Sequence, residues 1–182
     1  MPNETPPWLR QAPYPRFVHL DAVDYPHVDH VATIDNLSFI PDSSVDLIYN
    51  CHVLEHFKRR DVRRVLQEWH PVLKPGGILR ISVPDFAKLC EVYQKYGQLD
   101  LVIGALFGRQ DYLYNIHYNV FDFATLKREL ESAGFTDIRR YDWRETEHAH
   151  IDDYSQAYIP HMDKENGILI SLNVECAKPL QP

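Results

Sequence analysis

Three short apolar runs each stop at a polar side chain, and this pattern constrains the fold more than any other feature of the chain. Phe17-Val18-His19-Leu20 ends at Asp21, His30-Val31-Ala32-Thr33-Ile34 ends at Asp35, and Val45-Asp46-Leu47-Ile48-Tyr49 ends at Asn50. Runs of this length and apolarity read as buried strands. Asp61 to Leu73 then follows helical periodicity, with Val62, Val65, Leu66 and Trp69 on one stripe, and the Lys74-Pro75-Gly76-Gly77 turn closes it. Ile78 to Val83 reads as a fourth strand, and Pro84-Asp85 opens a helix through about Tyr96. Further helices are expected over Leu99–Phe107 and Phe123–Ala133, the second ending at Gly134, a natural left-handed cap. Ile138–Trp143 and Ile168–Ala177 read as the last strands.

Strands that alternate with helices imply an α/β fold with a mostly parallel sheet and helices on both faces. Ligands of such sheets gather at the carboxyl ends of the strands, and Asp21, Asp35, Asn50 to His56 and Pro84-Asp85 all fall there. No repeat or linker interrupts residues 1–182, so a single domain is expected, with an irregular proline-rich stretch over residues 1–16. That stretch holds five prolines and no apolar run, unlike a signal peptide, and no segment approaches the about eighteen apolar residues of a membrane span. The formal net charge of −7 argues against a nucleic-acid partner, which would call for an excess of Lys and Arg. The basic cluster Lys58-Arg59-Arg60 with Arg63 and Arg64 reads as a solvated helix face. Three widely spaced cysteines, Cys51, Cys90 and Cys176, fit a reducing cytoplasm.

An ordered set of motifs carries a resemblance. Val45 to Phe57, Leu73-Lys74-Pro75-Gly76-Gly77-Ile78-Leu79, Leu126 to Phe135 and Ile170 to Lys178 together resemble class I S-adenosylmethionine (SAM)-dependent methyltransferases of the type 11 group, over about Phe17 to Lys178. The resemblance implies a Rossmann-like, mostly parallel sheet with an antiparallel C-terminal strand, SAM as cofactor, and methyl transfer to an oxygen or nitrogen of a small, sugar-type or other acceptor. It implies that Asp21 binds the ribose hydroxyls, that Asp35, Asn36 and Leu37 flank the adenine, and that Asn50, Cys51 and His52 form the floor beside the methionine moiety. His52 and His117 are candidate general bases, because neutral imidazole titrates near the working pH.

The chain departs from the family at one place. The Gly-x-Gly turn after the first strand should fall within Trp8-Leu9-Arg10-Gln11-Ala12-Pro13, yet no glycine precedes Gly76. Either the turn lies upstream or the region has diverged, and the first strand of the sheet is absent or degenerate. A non-catalytic binding protein on a methyltransferase-like scaffold is therefore an alternative. A third reading takes His52-Val53-Leu54-Glu55-His56 as the His-x-x-Glu-His pattern of a zinc hydrolase, which needs both histidines on one helix face. His148, His150, Asp152, Asp153 and His161 could form a second metal cluster but read more readily as a flexible polar loop that collects His and Asp by chance, and the same loop could be a lid over a substrate.

Overall fold

A computed structural model describes residues 17–180. The proline-rich stretch 1–16, with the Trp8–Pro13 segment expected to carry the glycine turn, lies outside the described residues. Eight strands and four helices follow: β1 (Leu20–Asp21), β2 (His30–Val31), β3 (Val45–Cys51), α1 (Val62–Val72), β4 (Leu73–Pro84), α2 (Phe86–Tyr96), α3 (Asp100–Phe107), α4 (Phe123–Ser132), β5 (Thr136–Arg140), β6 (Tyr158–Ile159), β7 (Ile168–Leu169) and β8 (Ser171–Ala177).

The central sheet has the order β3-β4-β8-β5. β3 and β4 are parallel, with Ile48 opposite Leu79 and Asn50 opposite Ile81. β8 runs antiparallel to both β4 and β5, so it alone opposes the other three. β1 and β2 form a separate parallel pair. This is the mostly parallel α/β sheet with an antiparallel C-terminal strand that the sequence implies.

Alternation along β4 and β8 decides what each sheet face holds. Leu79, Ile81, Val83, Leu172, Val174 and Cys176 are buried on one face, beneath the apolar stripes of α1 (Val65, Leu66, Trp69) and α4 (Leu126, Leu130). Arg80, Ser82, Asn173 and Glu175 point the other way. The two faces are therefore not both helix-covered. The second is polar, and the irregular segment 141–157 covers it: Asn173 Nδ2 donates to Ser155 O at 2.9 Å, and Tyr49 Oη donates to Asp153 at 2.6 Å. Arg80 bridges Glu175 on the facing strand at 2.9 Å and Glu147 in that segment at 2.6 Å, while Arg139 of β5 meets Glu175 at 2.6 Å. A smaller apolar cluster joins α2 and α3 to the β6–β7 pair through Leu89, Val92, Val102, Ile159 and Ile170.

Local chemistry sets the helix ends. Asp85 caps α2 by accepting from Ala87 N at 3.1 Å, and Asp122 caps α4 by accepting from Thr125 N at 2.7 Å. The last carbonyls of α1 meet Ser43 N, Ser44 N and the Lys178 ammonium instead of continuing a helix. The Lys74–Gly77 segment departs from the expected free turn. Gly76 and Gly77 exchange backbone hydrogen bonds with Lys178, which draws the segment into β4. No helix among the described residues is long and apolar enough to cross a membrane.

Candidate active site

β3 is paired along one edge with β4, and its other edge lines a hollow of about 490 Å³. Leu20 and Asp21 of β1 form the opposite wall, and Ile34, Leu37, Ile40 and Trp69 close one side. The lining is mostly apolar, and Asp21, Asn50 and Cys51 mark its carboxyl end. Such concave, largely apolar sites with a few convergent polar groups are where small ligands bind, at volumes of roughly 300–1,000 Å³.

Each polar group there has a definite state. Asp21 Oδ1 accepts from Val23 N at 2.8 Å, which fixes the turn after β1. Asn50 is buried, and its Oδ1 lacks a hydrogen-bond partner among the described residues. A buried amide oxygen left unpaired costs about 1–3 kcal/mol, so this oxygen has unused accepting capacity at the hollow. Burial, then the charge of Asp153, pushes the Cys51 thiol far above its ordinary range, which favours the neutral thiol over the thiolate. On the loop before His117, burial, then Tyr25 and the Asp21 charge, raises the pKa of the Tyr112 phenol.

The other residues singled out from the sequence lie elsewhere around these strand ends. The Asp35 carboxylate sits 3.1 Å from Arg64 of α1. Burial raises its pKa, but the Arg64 and Thr33 hydrogen bonds outweigh that and hold it below its usual value. Asn36 Oδ1 accepts from Ser38 N at 3.2 Å, and Leu37 N donates to Glu68 at 2.7 Å. Leu37 lines the hollow, whereas Asp35 and Asn36 do not.

His52 adopts φ +52°, a left-handed conformation that costs a non-glycine residue about 1–3 kcal/mol and recurs at functional sites. Ser171 Oγ donates to Tyr154 O, so the 2.8 Å contact with His52 is an acceptance from Nε2–H. The other ring nitrogen, Nδ1, then lies 3.2 Å from Glu55 Oε1. His117 shares a 2.9 Å hydrogen bond with Ala105 O and packs edge-on to His56, with ring centroids 4.7 Å apart. Burial, resisted by Glu55, holds the His117 imidazole below its ordinary pKa.

The helix required by the zinc-hydrolase reading does not form. Leu54–His56 is a single 3-10 turn, His52 faces Ser171, and His56 faces Ile116 and His117. The His148–His161 cluster does not assemble either: His148 is buried against the Tyr49 ring at 4.0 Å, and Asp153 is held by Tyr49. Sequence reading missed Tyr49, Ser82, Tyr141 and Asn173, which hydrogen-bond across the polar sheet face. Ser82 Oγ donates to Asn173 at 2.7 Å and meets Tyr141 Oη at 3.0 Å. Polar residues at alternate positions of β4 and β8 were the available signal.

The architecture is that of the class I methyltransferase fold. Among solved structures, the chain is similar to 1,6-didemethyltoxoflavin-N1-methyltransferase of Burkholderia thailandensis, determined with 1,6-didemethyltoxoflavin and S-adenosylhomocysteine, at 16% identity and a TM-score of 0.53, covering 88% of this chain and 60% of that one. It is also similar to an O-methyltransferase family protein from Burkholderia thailandensis (11% identity, TM-score 0.51, 86% and 37% covered) and to a possible exported protein from Bordetella parapertussis (19% identity, TM-score 0.51, 84% and 45% covered). The chain thus spans between 37% and 60% of the length of these structures. Residues 12–81 match the family model described as a methyltransferase domain, which covers β1, β2, β3, α1 and most of β4. The chain thus resembles class I SAM-dependent methyltransferases in sequence over that segment and in fold over the described residues. No curated protein matches it.

Proposed function

We propose that the chain is a SAM-dependent methyltransferase acting on an oxygen or nitrogen of a small-molecule acceptor. The observation that carries this reading is the pairing of Asp21 with the unpartnered Asn50 oxygen at the carboxyl end of one apolar hollow. These groups fit an adenosine-bearing ligand: a carboxylate accepts from a diol, and an amide oxygen accepts from a hydroxyl or ammonium. When bound, SAM would supply a sulfonium-activated methyl carbon for in-line attack by the acceptor oxygen or nitrogen, with the thioether of S-adenosylhomocysteine as leaving group and the acceptor's proton passing to solvent. Asp21 Oδ2 would hold the ribose hydroxyls, Ile34 and Leu37 would pack on the base, and Asn50 Oδ1 would take a donor from the cofactor. The Tyr112 loop would cover the mouth, where it excludes water and aligns the acceptor. The net charge of −7 accords with a small-molecule rather than a nucleic-acid acceptor, and three unpaired thiols accord with a cytoplasmic setting.

Calorimetric titration with SAM tests this reading. Binding in the micromolar range is expected, weakened about 10–100-fold in Asp21→Ala, as loss of a charged hydrogen-bonding partner implies. A second reading, a non-catalytic binding protein on the same scaffold, rests on the lack of any glycine before Gly76. No heat of binding at millimolar SAM would favour it over the first.

A further inference from the structure

Glu55 is fully buried at the turn that follows β3, and neither of its carboxylate oxygens has a hydrogen-bond partner among the described residues. His52 Nδ1 lies 3.2 Å from Glu55 Oε1, an ion pair when that imidazole is protonated. A buried carboxylate is retained when it is paired or coordinates a metal. Two imidazoles stand beside it. His56 follows on the same 3-10 turn, and the 109–117 loop delivers His117, its backbone bonded to Phe107 O at 3.1 Å. Gly108 makes this approach possible: at φ +72° it has no side chain, and a Cβ there would strike Asn115 O and lie 3.2 Å from the His117 ring. One ligand atom from each of Glu55, His56 and His117 falls within 4.8 Å of the others.

The tautomers suit a cation. His56 Nδ1 lies 3.1 Å from Ile116 O, and His117 Nδ1 lies 2.9 Å from Ala105 O. A carbonyl can only accept, so both Nδ1 atoms carry the proton and both Nε2 atoms keep a lone pair. Histidines that ligate metals are oriented in this way, with the second ring nitrogen donating to a carbonyl. Two imidazoles and one carboxylate form a three-ligand set that leaves a coordination position open.

We propose that Glu55, His56 and His117 form a divalent transition-metal site, zinc being the ion this donor set suits best. Metal–ligand bonds near 2.0–2.1 Å set tetrahedral ligand atoms roughly 3.3 Å apart, so the ion would draw the three side chains inward. His52 then acts from outside, holding the Glu55 carboxylate. A water or an oxygen or nitrogen of a small ligand would complete the coordination. The set differs from the His52/His56 pair of the zinc-hydrolase pattern, and the proposal does not depend on methyl transfer.

Titration of the chelator-treated protein with zinc chloride alone, followed by calorimetry and elemental analysis, tests it. One zinc per chain is expected, with affinity lowered at least tenfold in His117→Ala and in Glu55→Gln, and unchanged in His161→Ala. Far-UV circular dichroism of each variant establishes that it is folded. Glu55→Gln keeps the side-chain shape and serves if His117→Ala does not fold. Absence of zinc binding by the wild type, or equal binding by folded His117→Ala and Glu55→Gln, would overturn the proposal. Neither outcome bears on SAM affinity, which is read separately.

Discussion

Asp85 performs two tasks from one buried position at the end of β4. It caps α2 through Ala87 N, and its second oxygen meets Arg140 of β5 at 3.1 Å. Arg140 is half exposed, so the ion pair itself contributes little, and the cap dominates. Asp85→Ala is therefore expected to cost about 1–2 kcal/mol, read as a lower urea midpoint without a change in slope. His52 and His117 show how a residue's neighbours redefine it. From sequence both are candidate bases. In the fold, His52 is held between Ser171 and Glu55, and His117 is held against Ala105 O and His56.

Among the elements, β3 lines more of the hollow than any other, and α1 closes it through one residue. Trp69 is buried on its inner stripe, lines the hollow, and donates from Nε1 to Ile34 O at 2.7 Å, which ties the segment after β2 to the helix. Trp69→Ala is expected to cost about 3–5 kcal/mol by chemical denaturation and to weaken SAM binding, since one wall loses its support. Elements of this kind were legible in the sequence: the stripe Val62, Val65, Leu66, Trp69 specifies a buried helix face, and the apolar runs ending at Asp21 and Asn50 specify strands. Less legible were elements defined by partners distant in the chain. β6 is two residues long and exists through pairing with Ile168 and Leu169. The Lys74–Gly77 turn becomes strand because Lys178 bonds to it. The contacts of Asp35 with Arg64 and of Asn36 with Ser38 N are likewise not encoded by spacing alone.

For the whole molecule, two neutral histidines make stability sensitive to acid. Burial, then the Lys178 charge, lowers the His70 pKa, and burial, then the Arg80 charge, lowers that of His148. Both have a buried Nε2 without a partner among the described residues, so protonation finds no acceptor. A histidine with a depressed folded pKa gives its full stabilisation above the unfolded value near 6.5 and loses it as pH falls, because the unfolded chain takes the proton first. The urea midpoint is expected to fall from pH 8 to pH 5.5, and less steeply in His148→Phe. At this scale the molecule is a Rossmann-like sheet whose β3 edge and β1 frame the hollow proposed to hold SAM. Amide hydrogen exchange with and without saturating S-adenosylhomocysteine tests that assignment most directly. Slower exchange over Leu20–Val23 and Asn50–Val53 is the expected result. Unchanged exchange in both segments at millimolar ligand would contradict it.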